Sequence, residues 1–208
     1  MRLYHHPMSS NARRALMTAI HLGLSLELAE VDLMNADDRR RLGELNPNGK
    51  LPVLADGSLL LWESCAIMQY LAEQVPGQTL YPSAPQERAD VNRWLFWAAQ
   101  HFSPAIAVLA WERAWKGMTG NGAADPLEEA RGERELHACA VVLDAHLAQR
   151  DWLCGNALSL ADFAVAAPLM YSEAVRLPLA QYAHLQAWFA RVQQLRAWQE
   201  TQVDLIVG

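Results

Sequence analysis

The chain has 208 residues, 52% of them hydrophobic and 19% charged, a balance that permits a real buried core and excludes a disordered segment. Its net charge of −6 argues against a broad nucleic-acid footprint, and no run approaches the roughly 20 apolar residues that cross a bilayer. The N-terminal MRLYHHPMSS has neither an apolar core of signal-peptide length nor a cleavage-like site, so a cytoplasmic location is expected.

Arg2 to His5 reads as a strand. From Ala12 the apolar positions Ala12, Ala15, Leu16, Ala19 and Ile20 follow helical spacing, and Gly23 stops the run. A second strand is expected over Leu26 to Leu33, then a short polar helix around Asp37 to Leu45. Leu51 to Ala55 and Ser58 to Leu61 read as strands joined at Asp56-Gly57, a strong hairpin signal. Trp62 to Glu73 continues as a helix. The order is β-α-β-α-β-β-α, and its first crossover demands a parallel strand pair.

Residues 76–86, PGQTLYPSAPQ, carry three prolines and a glycine and read as a linker. Beyond them strand alternation is gone. Trp94, Trp97, Ala98, His101 and Phe102 lie on one helical stripe within a segment from about 87 to 116, which Pro104 should kink. After the loop GMTGNGAADP comes an amphipathic segment from about 127 to 149, and two helices near 182–191 and 193–201 finish the chain. Between them, Ser159 and Asp162 stand in capping-box spacing, with Leu158 and Phe163 placed as a hydrophobic staple. Asp162 is therefore expected to be structural, and Asp162→Ala to cost about 0.5–2 kcal/mol, as for other caps. The expected organisation is a small α/β domain over 1–75, the linker, and an all-helical domain over 87–208.

Three cysteines, Cys65, Cys139 and Cys154, are far apart and odd in number. They fit neither a disulfide framework nor a zinc cluster and read as buried or semi-buried bystanders. Arg39-Arg40-Arg41 follows Asp37-Asp38 and reads as a solvated helix face, with one arginine still available to an anion pocket. The scarcity of lysine, only Lys50 and Lys116, points to a GC-rich bacterial genome, which is composition and not function.

Three stretches carry polar groups at strand-to-helix junctions. Ser9, Ser10 and Asn11 open the first helix, whose unpaired amides favour an anion; the same residues are ordinary helix caps. His5 and His6 point to opposite faces of a strand, which argues against a shared metal, and no metal is expected. In NPNGKLPVLADG, Pro52 opens a strand and leaves the Leu51 backbone able to pair with an extended ligand. The Leu51-Pro52 bond is a candidate for the cis isomer, since trans is preferred by only about 0.5–1 kcal/mol there; a plain edge-strand proline explains it equally well. Glu63-Ser64, at the start of the next helix, suits the amine and carboxylate of an amino acid, or a simple cap.

In this order and spacing, the four segments HHPMSSNARR, NPNGKLPVL, LWESCAIMQYLAE and LSLADF resemble the cytosolic glutathione transferases over essentially the whole chain. The resemblance is to the serine-type, theta-, phi- and beta-like classes. It implies a thioredoxin-like N-terminal domain, an all-α C-terminal domain, glutathione as co-substrate and a homodimer. Ser9 matches the serine that hydrogen-bonds the glutathione sulfur, and Ser10, where the beta class carries a cysteine, is the competing candidate. Asn11, Lys50, Leu51 and Pro52 would lie along glutathione, with Leu51 pairing the cysteinyl backbone and a cis Pro52 holding it, while Glu63 and Ser64 take the γ-glutamyl end. One of Arg39, Arg40 or Arg41 would meet the glycyl carboxylate. Met8, His101, Phe102 and Trp111 would face a small apolar electrophile. The lack of cysteine between Tyr4 and Asn11 argues against thiol-transfer chemistry. The implied reaction is glutathione conjugation; peroxide reduction by the same sulfur, or a carrier protein with little turnover, are the alternatives.

Overall fold

A computed structural model describes residues 1–203; the end of the expected helical domain, from Asp204, lies outside the described residues. The chain divides into two compact units, one of Met1–Tyr81 with Arg196–Val203 and one running over Pro82–Leu195.

The first unit is built on β1 (Arg2–His5), β2 (Glu27–Glu30), β3 (Val53–Asp56) and β4 (Leu59–Trp62), in the order β2-β1-β3-β4. β1 and β2 are parallel, while β3 runs antiparallel to both β1 and β4. Strand parity then assigns the layers. Leu3 and Leu54 are paired and face α1 (Ser10–His21) and α3 (Ser64–Glu73), where they pack with Ala15, Ala19, Ile67 and Leu71. Tyr4 and Val53, one position on, face the other way towards α2 (Ala36–Leu45), with Val31, Leu42 and Leu51. This is the thioredoxin-like α/β/α arrangement.

Several boundaries are set by local chemistry. α1 ends in a Schellman motif: Gly23 adopts φ +70°, its N–H donates to Ile20 O, and Leu24 N–H donates to Ala19 O. β2 stops at Glu30 instead of reaching Leu33. Asp32 Oδ1 accepts from Met34 N at 2.8 Å and Asn35 Oδ1 from Asp37 N at 2.8 Å, so side chains draw the backbone into the start of α2. The hairpin turns on Gly57-Ser58, one residue later than Asp56-Gly57, because Asp56 pairs with Leu59. Gly57 takes the positive φ at the first central position. The expected helix from Trp62 begins only at Ser64, since Trp62 still pairs with Val53. The C-terminal α10 (Arg196–Gln199) returns to this unit through buried Arg13. Its Nε donates to Thr201 Oγ1 (3.1 Å), one terminal nitrogen donates to Trp198 O (3.1 Å), and the guanidinium lies 3.7 Å from the Trp198 ring centre.

The second unit is helical. α4 (Pro85–Trp97), α5 (Ser103–Ala110) and the short α6 (Lys116–Met118) are joined by π turns at Ala98–Phe102 and Trp111–Trp115. Pro104 lacks an N–H and its ring would strike the carbonyl four residues back, at Gln100; the wide turn before it absorbs that misfit. α7 (Pro126–Leu147) passes so close to α5 that a Cβ on Gly132 would meet Leu109 and Val108 side chains at 3.0 Å. α8 (Leu160–Ala166) is buried at every position and continues as a 3₁₀ turn over Ala167–Tyr171, before α9 (Ala183–Gln193).

Asp162 of α8 is fully buried. It closes the capping box with Ser159, Oδ2 accepting from both Ser159 N and Ser159 Oγ at 2.9 Å. Oδ1 accepts from Leu153 N (3.0 Å) and from Trp188 Nε1 on α9 (2.9 Å). Burial pushes the carboxyl pKa up against the pull of these donors. A cap that also serves a loop and a neighbouring helix is worth more than a cap alone. The loss on truncation is therefore larger than for an ordinary cap. Asp162→Ala should lower unfolding free energy by about 3 kcal/mol or more in denaturant titration, since each orphaned buried donor costs about 1–3 kcal/mol.

Candidate functional site

The site is assembled by strand register. Tyr4, Val53 and Trp62 stand side by side across β1, β3 and β4. β1 runs towards this edge, β3 starts from it and β4 returns to it. The turn leading to Ser9, the Leu51-Pro52 segment and Glu63-Ser64 therefore all emerge at one end of the sheet, although some 50 residues separate the first from the last.

Ser9 is the N-cap of α1. Its backbone is extended (φ −89°, ψ 110°), its Oγ accepts from Ala12 N at 3.2 Å, and its carbonyl accepts from Arg13 N at 2.9 Å. A hydroxyl has one proton and two lone pairs. Accepting from Ala12 uses a lone pair and leaves the proton for a ligand, so capping and donation are compatible roles. Ser10 is the first helical residue and half-buried. Asn11, exposed, accepts from Ser64 Oγ at 3.4 Å, a long contact that ties the N-terminus of α1 to that of α3.

The Leu51-Pro52 peptide is cis. β3 starts only at Val53, and among the described residues no hydrogen bond engages the Leu51 backbone, which leaves it open to an extended partner. Sequence reasoning missed the residue that holds this segment. Asn46, buried at the end of α2, donates from Nδ2 to Lys50 O at 2.7 Å and accepts at Oδ1 from Asn48 N at 3.0 Å. The Asn-Pro-Asn-Gly run contains that Asx-turn signal. The Lys50 side chain is exposed.

Glu63 has φ 70°, in the left-handed region that a non-glycine residue occupies at a cost of about 1–3 kcal/mol. Its side chain makes no capping bond and is exposed, while Ser64 is buried. Held this way, Glu63 starts α3 without capping it through its side chain.

The remaining expected groups sit on α2, in the turn before Ser9, and in the second unit. Arg40 and Arg41 pair with Asp37 and Asp38 on the exposed face of α2, and Arg39 donates to Leu33 O and Met34 O. Met8 is half-buried in the turn before Ser9. In the second unit, His101 is exposed in the first π turn and Trp111, 41% exposed, starts the second. Phe102 is a correction: it is fully buried and stacks on Trp97 with ring centres 5.4 Å apart, which leaves it no surface for a ligand. A stripe at helical spacing serves core and site alike, and Phe102 falls on the core side. Burial pushes the Cys154 thiol up to about 12, helped by the nearby Asp90 and Asp162 carboxylates, which disfavours its thiolate form. Among the described residues no group of three or more His, Cys, Asp or Glu is placed to hold a metal, and no helix is long and apolar enough to cross a membrane.

Two family models match: "Glutathione S-transferase, N-terminal domain" over residues 1–73 and "Glutathione S-transferase, C-terminal domain" over residues 112–195. Glutathione S-transferase F10 of Arabidopsis thaliana is 30% identical over 203 residues, covering 93% of each chain. Glutathione S-transferase 3 of Zea mays is 31% identical over 207 residues, covering 97% of this chain and 92% of its own. Among solved structures, the theta-class enzyme of the citrus canker pathogen Xanthomonas axonopodis pv. citri, with glutathione bound, superposes with a TM-score of 0.88. It is 31% identical and the match covers 100% of this chain and 98% of that one.

The state of Cys154 is directly measurable. In the folded protein at pH 8 it should resist alkylation by iodoacetamide and become reactive only in denaturant; peptide mass mapping of the label checks this.

Proposed function

This chain belongs to the glutathione S-transferase family and is a glutathione transferase; from that premise we propose that Ser9 activates the glutathione thiolate for attack on an apolar electrophile. The observation that carries the proposal is the Ser9 cap geometry, in which Oγ accepts from Ala12 N and retains its proton for the sulfur.

The magnitudes are sufficient without a general base. A thiol of ordinary pKa near 8.5 is only about 3% ionised at pH 7, and lowering that pKa by two units requires about 2.7 kcal/mol. A hydrogen bond to a charged group contributes about 1.5–3 kcal/mol, and a helix N-terminus about 0.3–1 kcal/mol. The serine only donates, and the thiol proton leaves to solvent. The thiolate then forms the carbon–sulfur bond as the leaving group departs with its electron pair. A cysteine in place of Ser9 would instead invite mixed-disulfide chemistry.

Binding divides along the same sheet end. The open Leu51 backbone beside cis Pro52 would take the cysteinyl unit as a short added strand. Glu63 and Ser64 would hold the γ-glutamyl amine and carboxylate, Asn11 would position Ser64, and Lys50 would approach the tripeptide. In this reading residues 1–75 hold glutathione, the helical residues after 86 supply electrophile surface, and Met8, His101 and Trp111 are the side chains assigned to the electrophile. Exposed Leu59, Leu60 and Trp62 on the edge strand β4 are consistent with a homodimer.

The test is an ultraviolet difference titration of the bound thiolate. Ser9→Ala should raise the bound thiol pKa by about 1–2 units and lower kcat/KM for a generic aryl halide by about 10- to 100-fold. Ser10→Ala should do neither. The reverse pattern would move the role to Ser10, and a wild-type thiol titrating near 8.5 would favour a carrier.

A further inference from the structure

The segment that presents Ser9 has two backbone donors to satisfy, because Pro7 has none. Both are spent on His6. Ser9 N–H donates to the His6 carbonyl at 2.9 Å, closing residues 6–9 as a β-turn with proline at its second position. Met8 N–H donates to His6 Nδ1 at 3.2 Å. The second bond, from a side-chain acceptor at one residue to the amide two residues on, has the connectivity of an Asx turn, with an imidazole nitrogen standing where Asn or Asp would place an oxygen. A ring that accepts at Nδ1 carries its proton on Nε2, so the contact also defines the tautomer.

We propose that His6 is a positioning residue for Ser9: its Nδ1 fixes the turn and thereby the direction in which the Ser9 hydroxyl donates. The proposal rests on the reading of Ser9 as the thiolate's donor. Hydrogen-bond strength falls steeply as the donor angle leaves linearity, and displacements of about 1 Å in a positioned group cost heavily in rate. Ser9 is separated from His6 by only the turn itself, so slack at Met8 passes straight to Ser9 φ and ψ. The ring is half-buried and borders a cavity of about 150 Å³ next to Arg13, Leu16 and Thr201. Trimming it therefore enlarges an existing space and does not empty the sheet core.

The experiment compares His6→Ala, His6→Gln and His6→Asn with Ser9→Ala, by the same thiolate titration and by steady-state kinetics with glutathione varied. Asn can return an acceptor at the Asx position, whereas Gln carries its oxygen one methylene too far. His6→Ala and His6→Gln should each raise the bound thiol pKa by about 0.5–1 unit and lower kcat about 3- to 10-fold, with KM for glutathione changed less than about 2-fold. His6→Asn should restore both values to near wild type. If His6→Ala fails to fold, His6→Gln removes the same acceptor with greater bulk. An unchanged pKa in the His6 variants, with a raised one in Ser9→Ala, overturns the role of His6 and leaves that of Ser9 standing. A raised pKa that Asn does not restore also overturns it, because the acceptor is then not what matters. An unchanged pKa in Ser9→Ala removes the premise itself.

Discussion

Val53 lies between Tyr4 and Trp62, and the convergence of the Ser9, Leu51-Pro52 and Glu63-Ser64 segments at one end of the sheet follows from that register. A shift of one residue along β3 would exchange the two faces of the strand, turning Leu54 away from α1 and α3 and Val53 away from α2. The hydrophobic cost of such a slip on both faces holds the register, so the core fixes the geometry of a site that contains almost none of its residues. The polar segments lie just beyond the paired strands, where the backbone is still guided by the sheet but its hydrogen bonds are available to a ligand.

At that edge one device recurs: a helix terminus whose local bonding leaves something over. Ser9 caps α1 through a lone pair and keeps its proton. Glu63 holds a left-handed backbone at the start of α3 without capping it through its side chain. Asn46, past the end of α2, spends its amide on Lys50 O and Asn48 N so that Leu51 next along is presented with its backbone open. Of the three, Glu63 alone carries a backbone cost, as expected where binding competes with self-satisfaction.

The helical unit uses the same capping chemistry to the opposite end. Asp162 has all of its acceptor directions engaged, by Ser159, Leu153 and Trp188, and no surface is left to a ligand. Two serines in helix-cap positions, Ser9 and Ser159, thus differ in kind because one lies half-exposed at a sheet edge and the other is buried against Asp162. A similar division runs through the π turns. The widened turn before Pro104 exposes His101 while turning its neighbour Phe102 into the core.

The local grammar of the chain was legible without coordinates. Strand and helix order, the Gly23 stop, the Ser159-Asp162 box and the polar junctions at Ser9 and Glu63 are all short-range patterns, set by residues within about four positions of one another. Boundaries moved where a longer-range bond or a competing side chain intervened, as at Trp62, held in β4 by Val53, and Leu33, drawn out of β2 by the turn into α2. What periodicity could not say was which side of an apolar stripe meets the core, hence Phe102, or that Arg13 would bind Trp198 and Thr201 from the far end of the chain. Nor could it show that His6 and Asn46 spend their side chains on backbone that carries the site. The elements and their caps depend on neighbours along the chain, and short windows of residues were enough to read them. Which groups converge, and which are buried beyond use, depends on strand register and helix packing, which join residues remote in sequence and so left no local pattern to read.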